Sequence, residues 1–310
     1  MKLATLRKDG GSCVAAIVQD GNKLIDLQQA AKEAGFPTEL FDDMIDFLES
    51  GAEGRSLAGR LIDHGLAEGR GRAFGMEELL APVPCPRKLF CLAGNYLEHI
   101  EEGGGKASPQ DKETPRIFMK PPSSTVVGPG GDIRISPVCR AIDWEGELGV
   151  VMGRRVKAVK ADRALDSVAG YTIVNDVSER DLKIWDRSEN RSEDSFFDWL
   201  NGKWYDTFAP MGPWLVTTED IPDPQALQLS TYVNQERKQH CSTAQMIFPV
   251  AVIIEYLSAM VTLEPGDVIS TGTVAGVGAV SGQYLRAGDQ VRVEISGIGQ
   301  LDNQVVDSPV

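Results

Sequence analysis

From Lys88 onward the chain is a succession of short β-rich runs broken by glycine and proline, and this pattern limits the fold more than any other feature. KLFCLAGNY, RIFMKPPSSTVVG, IRIS, DWEGELGVVM, VAGYTIVNDVS, PWLVTT, LQLSTYVN, DVISTGT and QVRVEIS read as strands. FPVAVIIEYLSAM is the one good helix among them. Strands that do not alternate regularly with helices exclude a doubly wound parallel sheet and predict an antiparallel or mixed β architecture. The first eighty residues differ. KLATLR, SCVAAIVQ and KLIDL read as strands there, and LQQAAKEAG and ELFDDMIDFLES as helices. EGRGRAFG and the proline cluster APVPCPRK then mark a boundary, predicting a small N-terminal α/β domain over 1–82 and a main domain over 83–310. The small domain carries no legible chemistry and reads as a cap or dimerisation unit.

Composition sets the class. A chain of 310 residues with 42% hydrophobic content can bury a sizeable core. A formal charge of −14 argues against nucleic acid or an anionic membrane as partner, because both would repel it. MKLATLRKDGG has no apolar signal region, and MIFPVAVIIEYLSAMV, with Pro249 and Glu255, is too short to span a bilayer. Five scattered cysteines without CxxC spacing read as reduced thiols. The expectation is a soluble cytoplasmic protein. Two polar stretches, 101–115 and 183–197, are candidate mobile loops, of the kind that form lids or stay disordered.

The run IDWEGELGVVM raises a chemical question. On a strand, Asp143, Glu145 and Glu147 share one face, opposite Ile142, Trp144, Leu148, Val150 and Met152. Like charges along one half-buried face repel. Glu145 and Glu147, with Cα atoms ~6.5 Å apart, can converge on a hard cation, and Asp176 at the end of TIVND supplies a third acid. Three carboxylates suit Mg²⁺ or Mn²⁺, with Ca²⁺ also compatible. Zinc does not suit them, since no His or Cys keeps ligand spacing with these acids. A solvated strand face is the competing reading, and Asp143 is the weakest of the set. Of three histidines, His64 reads as a helix C-terminal residue and His240 as solvent-facing. His99 alone has a carboxylate, Glu102, three residues on, which is either a surface ion pair or the orienting partner of a general base. Lys203 precedes an aromatic- and proline-rich run and either faces an anion or is solvated. Thr273 leads into a Gly-rich turn that is either a plain turn or a cradle whose N–H groups hold a carboxylate.

Taken in order, GNYLEHIEE, FMKPPSSTVVGPGGDI, DWEGELGVVMGR, GYTIVNDVSERD, GKWYDTFAPMGPWLV, MIFPVAVIIEYLS, LEPGDVISTGTVAGVG and EISGIGQLDN resemble the fumarylacetoacetate hydrolase family, from about Lys88 to the C-terminus. The resemblance implies an α+β, mainly β fold: a mixed β-sandwich roll, usually in a homodimer. It implies that Glu145, Glu147 and Asp176 bind one divalent cation, and that His99 with Glu102 forms a base pair on a closing segment. It places Lys203 near metal and substrate and Thr273 on a substrate carboxylate, with Tyr96, Arg180 and Gln245 as further pocket residues. The implied reaction is hydrolysis of the C3–C4 bond of a 2,4-diketo, acylpyruvate-type acid to a pyruvate and a carboxylic acid. Family members also decarboxylate or isomerise related 2-oxo dicarboxylates, so these stand as alternatives. A non-catalytic binder of metal and 2-oxo acid would keep the acids and lose His99 and Lys203, and both are present. The H-x-x-E pair disfavours a pure keto–enol isomerase. The 186–199 loop departs from shorter forms of the family and puts the usual substrate preference in question.

Overall fold

A computed structural model of the chain describes residues 1–106 and 113–308, so the centre of the 101–115 loop lies outside the described residues. Eleven strands form one large sheet. Its main path runs from Lys23–Asp26 through Gly11–Val18, Lys2–Lys8, Ala209–Thr217, Val168–Asn175, Gly146–Met152, Val268–Ser270 and Leu89–Ala93 to Arg116–Met119. Most pairs are antiparallel, while Val268–Ser270 runs parallel to Leu89–Ala93. The sheet is therefore mixed, as the strand pattern predicts. Lys2–Lys8 pairs with Ala209–Thr217, so the first three strands share this sheet with the later ones.

Each face of the sheet is covered, which explains why its central strands carry apolar residues on both sides. A five-stranded sheet, ordered Glu236–Ser242, Gln228–Val233, Gln290–Ile295, Gly299–Asp307 and Asp132–Ile135, packs on one face. Leu229, Val293, Ile295 and Leu301 from it meet Leu148, Val150, Tyr171 and Ile173. The sheets come close at Gly146, where a Cβ would lie 2.2 Å from the Thr231 hydroxyl oxygen, so only glycine fits. Phe41, Met44, Phe47, Ala58 and Leu61 of the N-terminal helical region cover the other face against Val14, Cys91, Val151 and Val174. Helix Val250–Met260 follows Pro249 and buries Ile253, Ile254 and Leu257. Among the described residues no helix is long and apolar enough to cross a membrane.

Several elements depart from the sequence expectation. ELFDDMIDFLES divides into a 3₁₀ turn, Glu39–Phe41, and a helix, Met44–Glu49, because Asp43 caps Ile45 N–H at 2.6 Å and restarts the chain. The run 142–152 is not one strand. Ile142–Asp143 pairs with Ser178–Glu179, and the long strand begins at Gly146. The 183–197 stretch is not loop throughout, since helix Asp194–Asn201 begins inside it.

Candidate active site

Strand register builds the acid cluster. Gly146 lies opposite Asn175, so the residues just outside this pair, Glu145 and Asp176, become neighbours, and Asp176 N–H donates to Glu145 C=O at 2.9 Å. Glu145 N–H donates to the Asn175 side chain at 2.9 Å, which fixes the corner. Glu147, two residues on, points to the same side. One carboxylate oxygen from each of Glu145, Glu147 and Asp176 falls within 4.8 Å of the others, and all three residues are buried.

Three cations hold these acids. Lys203 Nζ donates to Glu145 at 2.8 Å and to Asp176 at 2.9 Å. Lys120 Nζ takes the other Asp176 oxygen at 2.5 Å and donates to Val177 C=O at 2.9 Å. Arg180 bridges Glu145 and Asp143, the latter at 3.0 Å. Burial would raise the Glu145 carboxyl, but Lys203 and Arg180 override it and bring it down to about 2. Glu147 lacks such a partner. Burial, with Asp176 and Glu145 beside it, pushes its carboxyl well up. Its Oε2 accepts from Ser270 Oγ at 2.5 Å and Gly272 N–H at 2.8 Å, while its buried Oε1 has no hydrogen-bond partner. An orphaned buried carboxylate oxygen facing two further carboxylates fits a hard divalent cation.

The Gly-rich turn is a cradle, and it holds the protein's own carboxylates. Gly272 N–H serves Glu147, Gly276 N–H serves Glu102 at 2.8 Å, and Gly278 and Ala279 N–H serve Asp143 at 2.6 and 3.0 Å. Asp143 is thus fully buried, not solvated as its place in the sequence implied. Four backbone or guanidinium donors replace its water. At Gly276, with φ of 104°, a Cβ would lie 2.0 Å from Lys238 C=O, so glycine is required.

His99 and Glu102 lie on helix Leu97–Glu102, with Nδ1 2.8 Å from the Glu102 carboxylate. A carboxylate only accepts, so Nδ1 carries a proton, and in the neutral ring the lone pair lies on Nε2. Through Gly276 the pair is tied to the same turn that serves Glu147. Direct contacts therefore unite Glu145, Asp176, Lys203 and Arg180, with Glu147 facing them in the same acid cluster and His99 and Glu102 tethered beside them. Thr273 is buried, its hydroxyl donating to Gly146 C=O at 3.1 Å and accepting from Gln239 at 2.9 Å, so its proton is committed. Tyr96 is buried with an unpartnered hydroxyl. Gln245 is exposed and accepts from the Cys241 thiol at 3.0 Å, and no described contact joins it to the acids. Sequence reasoning missed Lys120, Ser270 and Gln239. Lys120 lies within the quoted FMKPPSS, where only its place in an ordered motif set it apart from a solvated lysine.

A family model described as fumarylacetoacetate (FAA) hydrolase C-terminal matches residues 88–306. A mitochondrial oxaloacetate tautomerase of Xenopus laevis is 40% identical over 294 residues, covering 93% of this chain and 84% of the relative. Two solved structures superpose over all of both chains. One is a 2-hydroxyhepta-2,4-diene-1,7-dioate isomerase from Mycobacterium marinum, with 33% identity and a TM-score of 0.68. The other is a maleylpyruvate hydrolase from Sphingobium sp. SYK-6 in complex with manganese(II) and pyruvate, with 25% identity and a TM-score of 0.75.

Proposed function

Because the chain belongs to the fumarylacetoacetate hydrolase family, we propose that it is a divalent-metal-dependent enzyme that moves a proton at the carbon beside the keto group of a 2-oxo acid. Enol–keto tautomerisation of an oxaloacetate-type substrate is the reaction that this reading favours. The observation that carries it is the His99–Glu102 pair, oriented at 2.8 Å beside a buried acid cluster. Glu102 fixes the ring so that Nε2 takes and returns the proton. Glu145, Glu147 and Asp176 would hold Mg²⁺ or Mn²⁺, with Ca²⁺ also compatible, and a dication bound there supplies Lewis acidity toward a keto oxygen. Lys203 keeps Glu145 and Asp176 in place and adds positive charge where negative charge gathers as the proton leaves. The similarity to a named oxaloacetate tautomerase supports this over the expectation that keto–enol isomerisation is disfavoured.

A second reading is C–C hydrolysis of an acylpyruvate-type acid, in which the same pair would activate water. The similarity to a maleylpyruvate hydrolase crystallised with manganese and pyruvate favours it. One assay separates the two. Chelator-stripped protein, restored with Mg²⁺ or Mn²⁺, is given enol oxaloacetate and, separately, acetylpyruvate, and products are identified by mass spectrometry. Metal-dependent loss of enol without release of pyruvate, slowed ~100-fold or more by His99→Ala, is the expected result. Pyruvate and acetate from acetylpyruvate would move the reaction to hydrolysis, and CO₂ from oxaloacetate to decarboxylation. If neither substrate responds to the protein, both readings fall.

A further inference from the structure

Beyond the acid cluster lies a cavity of about 820 Å³ between residues 179–187 and helix Asp194–Asn201. Two of its lining residues also touch the proposed site. Arg180 reaches from its wall to Glu145 and Asp143. Trp199 carries the Lys203 ammonium 5.6 Å from its ring centre and stands edge-on to Phe118 at 5.1 Å. The cavity therefore adjoins the carboxylates through Arg180 on one side and Lys203 on the other. Its size falls in the range that encloses a drug-sized molecule, several times what a four-carbon diacid fills.

The cations on its walls are already paired, and Asp186 adds a carboxylate to the lining. Arg187 forms a two-pronged pair with Asp198 at 2.5 and 2.6 Å, and Lys183 pairs with Asp181 at 2.8 Å. Glu179 accepts from the N–H groups of Arg140, Ala141 and Asp181. A carboxylate that entered this cavity would have to break one of these pairs. The apolar lining is different. Trp185 is 86% exposed and Ile184 55%, a large apolar surface held against the cavity mouth with water on it. Covering such surface favours an apolar ligand, and aromatic rings meet a tryptophan face well.

We propose that this cavity receives the aromatic or bulky apolar distal group of the substrate, with Trp185 the residue that selects for it. Besides a four-carbon oxaloacetate-type acid, the site would then take a 2-oxo acid whose far end is uncharged and larger. This rests on the reading of the acid cluster as a 2-oxo acid site. The segment 183–187, which looked like a polar loop, becomes a determinant of specificity.

Titration calorimetry on the Mn²⁺-loaded protein with pyruvate and with phenylpyruvate tests this, since the two share the 2-oxo acid and differ in the ring. Phenylpyruvate should bind ~10-fold or more tightly than pyruvate, and Trp185→Ala should reduce that ratio several-fold. The more conservative Trp185→Phe should keep most of it. Circular dichroism confirms that the variants fold, which an exposed side chain makes a mild demand. Equal binding of the two acids, or a ratio unmoved by Trp185→Ala, overturns the assignment while leaving the 2-oxo acid site intact. Failure of both acids to bind removes the site reading and this inference together.

Discussion

Asp176 shows what a single buried residue requires. Both of its oxygens accept from a lysine, Oδ1 from Lys120 and Oδ2 from Lys203, and all three side chains are almost wholly out of water. Burial lowers the pKa of Lys120, with the like charge of Lys203 adding to it and Asp176 opposing both. Removing one member of such a group strands a charge in the interior. Lys120→Met should therefore cost about 3–5 kcal/mol, measured by urea unfolding of the metal-free protein. A loss below ~1 kcal/mol would mean that Lys120 contributes no more than a surface lysine. The acids were legible in the sequence because a 145/147 spacing forces two carboxylates onto one strand face and Asp176 closes an apolar run. Lys120 was not. Its partner lies 56 residues away, and no local pattern announces a contact that only sheet register creates. Asp143 misled for the same reason, since two of its donors come from a turn more than 130 residues on.

Helix Leu97–Glu102 has six residues, too few to persist alone in water. Its order comes from ties at both ends. Before it, Asn95 donates to Phe248 and Thr271 carbonyls and accepts from Phe248 N–H. At its end, Glu102 accepts from Gly276. Cutting the second tie should loosen the helix that carries His99. Glu102→Ala is expected to speed amide exchange at residues 98–103 by ~10-fold or more while leaving strand Gly146–Met152 protected, because local opening has its own free energy. Glu102→Gln keeps an acceptor for Gly276 and should preserve protection while still impairing His99. Equal protection in wild type and Glu102→Ala would show that the tie does not hold the helix. Other elements escaped the sequence reading for physical reasons. Glu236–Ser242 alternates mostly polar residues on a sheet edge, and its hairpin turns at Asn234 and Gln235, both at positive φ, without the glycine that usually marks such a turn. Gly51–Ala67 forms a helix despite four glycines, because packing of Ala58 and Leu61 outweighs weak propensity.

Across the molecule, the charge of −14 and the buried cluster make opposite demands. Surface acids attract dications everywhere, weakly and with screening by salt. Inside, four carboxylates, Asp143, Glu145, Glu147 and Asp176, face three cations, Lys120, Arg180 and Lys203, so that with Glu147 ionised, as a metal ligand must be, one negative charge is left. A dication reverses that sign, and the carboxylate of a 2-oxo acid then offsets the positive charge, so metal and substrate should bind in that order. A ligand that binds only the folded state stabilises it by about 2.7 kcal/mol at a hundred times its dissociation constant. Mn²⁺ should raise the urea midpoint accordingly, and calorimetric titration of the folded protein should saturate at one equivalent, whereas surface binding would show no defined stoichiometry. Glu147→Gln distinguishes the two. It removes the carboxylate that burial and its neighbours disfavour in charged form, so the metal-free variant should be at least as stable as metal-free wild type, yet its Mn²⁺ response should vanish. A full Mn²⁺ response in Glu147→Gln would place the cation elsewhere. The chain would then keep these three acids for the lysines and arginine that bind them, and not for a metal.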